Sequence, residues 1–302
     1  MKIGFAAPVS GSWATPGNLA YFARRAEELG YHSLWTFQRL LSPVDASWGE
    51  VYRSVHDPLL PLAYAAAVTS RIRLGVAVVN LPFVAPVVLA KQLATLDILS
   101  GGRVDAGLGN GWADAEFTAT GVHMRRQAQR ADEYIALLRR LWTEPVIDHD
   151  GEFYRIPRMR MDPKPVQHPH PPILLGAGAP AALRRAGRLC DGWVSSSRAD
   201  LRALGESVAV VREAAERAGR DPQRLRFVCR AVVRARPSGE GGARVPLTGT
   251  LDEIRADLAG VAAQGMTELF VDLNFDPEIG SPDADPAESR RRADEVLEAL
   301  AP

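Results

Sequence analysis

Two glycine-rich stretches and a run of three serines are the parts of this 302-residue chain best suited to chemistry. Gly107-Leu108-Gly109-Asn110-Gly111-Trp112 ends one apolar, strand-like run. Gly176-Ala177-Gly178-Ala179-Pro180 ends another and leads directly into a helical segment. Glycines at such a place let backbone amides approach an anion, and a helix N-terminus adds partial positive charge. Neither stretch is the G-x-G-x-x-G dinucleotide fingerprint, and either one alone is as compatible with a tight βα turn. The second has company, because Ser195-Ser196-Ser197 ends the next strand and brings three hydroxyls beside the same helix start. That combination favours a phosphate held between Gly176–Ala179 and Ser195–Ser197, with helix capping by the serines as the structural alternative.

Other chemistry is excluded by what the chain lacks. A Schiff-base enzyme on a βα fold needs a lysine at a strand end. The three lysines, Lys2, Lys91 and Lys164, fall at a strand start, within a helix and in a connector. His168-Pro169-His170 is the single close histidine pair, and it lies among prolines ahead of a strand, which is poor ground for a metal. Few strands end in a carboxylate, Asp272 with Asp276 being the exception, so a two-carboxylate glycosidase is disfavoured. Cys190 and Cys229 are too few for a disulfide framework and read as buried thiols. With 36 basic and 36 acidic side chains, no nucleic-acid-coating surface is expected. The uncharged stretch from Leu74 to Ala90 is broken by Gly75, Asn80, Pro82 and Pro86, so no membrane span is expected, and the reading is cytoplasmic.

These residues are positioned by a regular alternation. Strands are expected at 2–6, 33–37, 72–79, 103–108, 172–176, 192–195, 226–233 and 268–273. Helices are expected at 19–29, 58–69, 84–99, 128–142, 179–190, 199–218, 251–262 and 286–300. Asp57-Pro58 reads as a helix start. Eight strands alternating with eight helices imply right-handed crossovers and a parallel sheet, and at this length a (β/α)8 TIM barrel closes, as one domain over 1–302. Long loops after strands two, four and seven (38–57, 109–127 and 234–249) would gather at the C-terminal face, where such barrels build active sites. The third contains Ser238-Gly239-Glu240-Gly241-Gly242, a candidate lid. The insertion 143–171 follows a helix and would lie towards the opposite face, with a two-residue hairpin turn at Asp150-Gly151.

The stretches Arg24–Leu34 with Trp35, Thr69–Val76, Leu89–Gly102, Arg103–Trp112, Pro163–Gly178 and Ala186–Ser197 occur in an order that resembles the bacterial-luciferase-like flavin and deazaflavin oxidoreductases. The length and the Ala-Gly-Ala-Pro turn look closer to the branch that uses the deazaflavin coenzyme F-420. The resemblance implies a cofactor ring at the C-terminal mouth, with its phosphate near Gly176, Ala177, Gly178 and Ala179 and Ser196 donating. It also implies a cis peptide between Ala77 and Val78 behind the ring, Asn80 near the ring's polar edge, a cofactor contact at Asn110 and a homodimer. Ser195 joins the expected cofactor set.

Two departures from the family pattern bear on mechanism. Relatives often carry Trp-x-x-Asp-His after strand two, whereas this chain reads Trp35-Thr36-Phe37-Gln38. Gln38 can hydrogen-bond a ring carbonyl or a substrate but cannot exchange a proton near neutral pH. Some deazaflavin relatives place a glutamate where Trp112 stands. His56, ahead of Asp57-Pro58, is the remaining catalytic candidate. Trp48 and Tyr52 could stack on a substrate or anchor their own loop. Glu116 reads as a helix-start charge with a site acid as the alternative, Arg125, Arg126 and Arg130 as a solvated face with contact to an anionic coenzyme tail as the alternative, and Trp142 and Trp193 as core. The expectation is hydride transfer between F-420 and a small organic substrate. Alternatives are a monooxygenase using reduced FMN and oxygen, and a non-catalytic flavin-binding protein.

Overall fold

The computed structural model describes residues 1–237 and 244–302. Eight parallel strands form the centre: β1 (Lys2–Ala6), β2 (Ser33–Thr36), β3 (Arg73–Val76), β4 (Val104–Gly109), β5 (Ile173–Gly176), β6 (Gly192–Val194), β7 (Arg226–Val232) and β8 (Glu268–Asp272). Each pairs with its sequence neighbour, β1 pairs with β8, and β3 pairs with β4, so the sheet closes into a barrel. The surrounding helices are α1 (Pro16–Glu28), α2 (Leu59–Val68), α3 (Pro86–Leu99), α4 (Gln127–Thr143), α5 (Pro180–Leu189), α6 (Leu204–Arg217), α7 (Leu251–Ala263) and α8 (Pro286–Ala299). The expected (β/α)8 barrel is therefore present. No helix among the described residues is long and apolar enough to cross a membrane. The proposed lid residues Ser238–Gly242 lie outside the described residues.

Local chemistry accounts for where elements begin. The Thr15 side chain accepts from the Asn18 amide, so α1 starts three residues before its expected position. Asp57 accepts from the amides of Leu59 and Leu60 and starts α2, as its place before Pro58 suggested. Thr250 and Glu253 form a capping box on α7. By contrast, α6 begins at Leu204 rather than 199. The Asp200 carboxylate accepts from the Arg202 amide, a local turn that competes with the helix. The hairpin forms from Ile147–Asp150 and Arg155–Met159, but four residues separate the strands instead of two. Glu133 on α4 is the reason: it accepts from the amides of Phe153 and Tyr154 and contacts His149, so the turn wraps around a carboxylate. Arg126 pairs with Glu152 and lies over Phe153, which places it in this anchor.

The barrel interior is filled in tiers. Trp35 stacks on Phe270 at 5.0 Å between ring centroids, with Leu174 and Val228 beside them. Gly75 faces this indole, and a Cβ there would lie 2.5 Å from two of its ring carbons, so the large side chain on β2 requires the missing one on β3. Below this apolar tier, at the strand starts, lies a charged floor. Fully buried Asp105 accepts from Arg73 (2.6 and 3.0 Å) and from Arg226 (2.6 and 3.0 Å), and Arg226 also donates to Glu268 (2.7 Å). Two cations and two carboxylates cancel. Trp142 and Trp193 are buried, as expected, and donate to the carbonyls of Ala90 and Ala177. Cys190 and Cys229 are buried free thiols, each pushed by burial up to about 12.

Burial opposes ionisation of Asp105, but the guanidinium groups of Arg226 and Arg73 more than offset it and hold the carboxyl below its ordinary value. A carboxylate with a depressed folded pKa stabilises the fold above its unfolded value of about 3.9 and loses that effect as pH falls through the folded value. Asp105→Asn should therefore cost about 3–5 kcal/mol at pH 7, because it leaves a buried cation uncompensated. Urea unfolding at a series of pH values checks this: the wild-type advantage should be full above about pH 5 and should shrink below about pH 4.

Candidate active site

At the opposite end of the barrel, where the strands finish, the loops after β2 and β4 meet the turns after β5 and β6 around a cavity of about 480 Å³. Its lining includes Gln38, Ala77, Val78, Asn80, Asn110, Trp112, Gly176–Ala179 and Ser195–Ser197, so sequence and fold converge on one site. His56 is not brought there. It is exposed, and its amide is tied to the carbonyl of Val9, so the catalytic expectation for His56 is corrected to a loop position outside the cavity.

The Ala77–Val78 peptide is cis, as the resemblance implied. It divides the expected strand 72–79 into β3 and the short segment Val79–Asn80. Val78 lies between the ends of β4 and β5. A Cβ on Gly176 would come within 2.9 Å of one Val78 methyl, and a Cβ on Gly109 would overlap the other. These two glycines are thus required by Val78 rather than by an anion. Gln38 accepts from the Asn80 amide through Oε1 (2.8 Å), which fixes its carboxamide orientation and leaves Nε2 for the cavity. The carboxamides of Asn80 and Asn110 line the wall with no protein partner among the described residues.

Behind Val78, Arg230 on β7 crosses the mouth. Its Nε donates to Asp272 (2.6 Å) and its Nη1 to the carbonyl of Ala77 (3.1 Å), while its guanidinium lies 4.7 Å from the Phe37 ring and 4.3 Å from that of Phe275. Asp272 also accepts from the amide and carboxamide of Asn274, whose own oxygen accepts from Val9 and Ser10. Asp272 is therefore committed to holding Arg230, and Asp276 to Arg236. Arg230 was not anticipated from sequence. Its signal was available, since Arg226, Val228 and Arg230 share the inward face of one strand and the last falls at the C-terminal end.

The substrate side of the cavity is aromatic. Tyr52 and Trp112 line it, and Trp48 packs on Trp112 at 5.1 Å. All three surround the guanidinium of Arg39, at 5.3 Å from Trp48, 4.9 Å from Tyr52 and 4.7 Å from Trp112. Glu116, fully buried, pairs with Arg39 (2.7 Å) and accepts from the amides of Leu40 and Leu41. The reading of Glu116 as a helix-start charge is thus only half of its role. It heads the short helix Asp114–Ala119 and also clasps the loop after β2 to the loop after β4. In the Trp-x-x-Asp-His pattern the histidine falls at residue 39, so the residue standing in its place is Arg39, next to Gln38.

At the far wall, the α5 N-terminus carries no side-chain cap, and Pro180 occupies its first turn. The amides of Gly178 and Ala179 have no partner among the described residues. Gly178 has open space where a Cβ would point, so an anion can approach its backbone. Trp193 donates to Ala177 and fixes this turn from below. Ser195 is buried, and its hydroxyl accepts from the Arg230 amide. Ser196 is exposed, and its hydroxyl accepts from the Arg198 amide, leaving its proton to donate. Ser195, Ser196 and Ser197 all line the cavity, and the expected donor Ser196 keeps its proton free. The combination of uncommitted amides, serine hydroxyls, an apolar Val78 face and two carboxamides suits a group that is flat and edged by oxygen or nitrogen atoms, with an anionic tail.

A model of the luciferase-like monooxygenase family matches residues 2–267. The chain belongs to the luciferase-like monooxygenase family. Luciferase-like relatives include an uncharacterised protein of Mycobacterium tuberculosis, 38% identical over 211 residues, which are 66% of this chain and 74% of that one. The F-420-dependent glucose-6-phosphate dehydrogenase of Kineococcus radiotolerans is 34% identical over 226 residues, 73% of this chain and 64% of that one. The crystal structure of monooxygenase RslO1 from Streptomyces bottropensis superposes with a TM-score of 0.80 at 26% identity, covering 99% of this chain and 98% of that one. Luciferase-like oxidoreductases thus comprise both F-420-dependent and FMN-dependent members.

Arg230→Met would strand the buried Asp272 carboxylate and release the Ala77 carbonyl. It should cost about 3–5 kcal/mol in urea unfolding. The double variant Arg230→Met/Asp272→Asn, which removes the charge while keeping an acceptor for Asn274, should be more stable than the single variant. Equal stability of the two would show that the ion pair is not what fixes the mouth.

Proposed function

We propose that this protein is an oxidoreductase that binds coenzyme F-420 in the cavity at the barrel mouth and passes a hydride between it and a small organic substrate. The observation that carries this reading is the lining of the cavity. It pairs an anion cradle at α5 with walls that contain no His, Cys, Lys, Asp or Glu among the described residues. Such a site holds and orients reactants and moves few protons of its own, which suits a reaction whose electrons travel as hydride. The bound coenzyme would supply that hydride chemistry.

The chain's own residues have three tasks in this reading. The amides of Gly178 and Ala179, with Ser196 and Ser197, hold the phosphate, and the α5 N-terminus adds its partial charge. Val78 supports one face of the ring, with Asn80, Asn110 and the Gln38 carboxamide donating at its edge. Phe37, Tyr52, Trp112 and Phe275 exclude water from the substrate half. The 34% identity to an F-420-dependent dehydrogenase supports the choice of coenzyme. The second reading, a monooxygenase using reduced FMN and oxygen, is supported by the 26% identity to the monooxygenase RslO1 over nearly the whole chain and, for the flavin, by 31% identity over 53% of this chain to an FMNH(2)-dependent monooxygenase of Pseudomonas putida, and the same cradle would serve it. A homodimer, expected from the resemblance, belongs to the same proposal and is read by light scattering.

Anaerobic titration with F-420 and separately with FMN, followed by fluorescence, tests the assignment. Micromolar or tighter binding of F-420 with much weaker binding of FMN is expected. Preference for FMN would move monooxygenation to first place, and binding of neither would overturn the cradle. Ala179→Asp sets a carboxylate at the α5 N-terminus. It should weaken the preferred coenzyme by about a hundredfold, the repulsion of two charges about 5 Å apart near a protein surface, with little change in thermal stability.

A further inference from the structure

Arg39 has more donors than its clasp uses. Nη1 is taken by Glu116, and Nε is enclosed without a partner among the aromatic rings. Nη2 has no protein partner among the described residues, and the side chain lines the cavity. Arg39 is 8% exposed and lines the cavity, so its uncommitted N–H groups favour an acceptor delivered there by a ligand. The rings of Trp48, Tyr52 and Trp112 fix its plane, and the Glu116 pair fixes its position, so little entropy is left to lose when that acceptor arrives.

We infer that Arg39 orients the substrate by donating to a neutral oxygen, a ketone, quinone or phenol oxygen, on a flat conjugated molecule packed against Trp112 and Phe275. This rests on the cofactor reading above and adds the substrate class to it. Flatness follows from the walls, where the rings of Phe37, Tyr52, Trp112 and Phe275 line the cavity and Trp112 is 46% exposed. Neutrality follows from the charges. Glu116 already cancels Arg39, and Asp272 already cancels Arg230, so the two lining arginines add no surplus positive charge, while Arg198, 5.0 Å from the Trp112 ring centroid, is exposed and screened by solvent. A carboxylate entering here would be desolvated and would meet Glu116 just behind the guanidinium, whereas a carbonyl needs only the N–H.

The test uses protein loaded with whichever coenzyme it binds, kept oxidised, with three probes of similar size: 2-methyl-1,4-naphthoquinone, 2-methylnaphthalene and 2-naphthoate. Binding is followed by quenching of tryptophan fluorescence. The quinone should bind more tightly than both other probes. Arg39→Met should weaken the quinone by about tenfold, the loss of one hydrogen bond to a charged donor, while leaving 2-methylnaphthalene and coenzyme affinity within about twofold. Arg39→Lys should fall between. Glu116→Gln keeps Arg39 but removes its counter-charge, and it should shift the preference towards 2-naphthoate by about tenfold or more. Equal weakening of quinone and hydrocarbon by Arg39→Met would overturn the inference and leave Arg39 as a loop clasp only. Tighter wild-type binding of 2-naphthoate than of the quinone would overturn the neutral-oxygen class. If Arg39→Met does not fold, Glu116→Gln decides alone, an unchanged preference counting against the inference. Failure of the cofactor reading is distinct, because it appears as absence of coenzyme binding by the wild-type protein.

Discussion

One guanidinium holds the mouth of this barrel together. Arg230 must reach from β7 to the carbonyl of Ala77 on the facing strand, and it can do so buried only because Asp272 cancels its charge at 2.6 Å. Asp272 in turn fixes Asn274, which holds the amides of Val9 and Ser10, so the chain after β1, the bulge after β3 and the turn after β8 are tied to a single ion pair. A buried pair of this kind contributes modestly to net stability, because desolvation offsets most of its attraction. Its consequence is positional. The Ala77 carbonyl, and with it the Val78 side chain wedged between Gly109 and Gly176, has one place to be.

The floor of the barrel repeats the device with different consequences. There Arg73 and Arg226 bracket Asp105 and Glu268, and the cluster closes the strand starts beneath the middle tier filled by Trp35 and Phe270. At the mouth the tier that would complete the packing is replaced by glycines, alanines and short polar side chains, and the space remains open. The arginine bias of the chain, 33 of its 36 basic residues, does structural service in the fold. Arg39, Arg103, Arg185 and Arg230 are all buried, and Arg103 alone donates to the carbonyls of Ala66, Thr69, Ile72 and Ser100 where α2 and α3 end. A planar fork with five donors makes such buried multi-point contacts, and a lysine ammonium does not.

The barrel was legible because its signal is repeated eight times: each strand was found within a few residues, and the loop lengths alone identified the face that carries the site. The glycine turn before Pro180 and the serines after β6 were legible because glycine and serine at strand ends have few other uses. What escaped was contact between distant segments. Glu116 and Arg39 are 77 positions apart, and nothing local in Asp114–Ala119 distinguishes a carboxylate that caps a helix from one that also binds a remote arginine. His56 shows the converse error. Its neighbourhood to Asp57-Pro58 was right, but three-residue proximity to a helix start does not decide whether a side chain faces the barrel axis or the solvent. The two-residue hairpin failed for a related reason, because Glu133 on another element recruited the turn.

Among the described residues the lining holds no histidine or carboxylate, which changes what the mouth can contribute to chemistry. A general acid shared between many substrates would leave orientation to shape alone, whereas this mouth supplies fixed N–H donors from Gln38, Asn80, Asn110 and Arg39 around an apolar Val78 face. Carboxamide and guanidinium donors act by their position. Where the family pattern places a histidine after β2, this chain places Arg39. On the proposed reading, selection among substrates would rest on where their oxygen falls when the molecule packs against Trp112 and Phe275. The residue that decides this is the one whose position is over-determined, and Arg39, clasped by a carboxylate and enclosed by three aromatic rings, meets that condition more fully than Gln38, which is held by a single hydrogen bond.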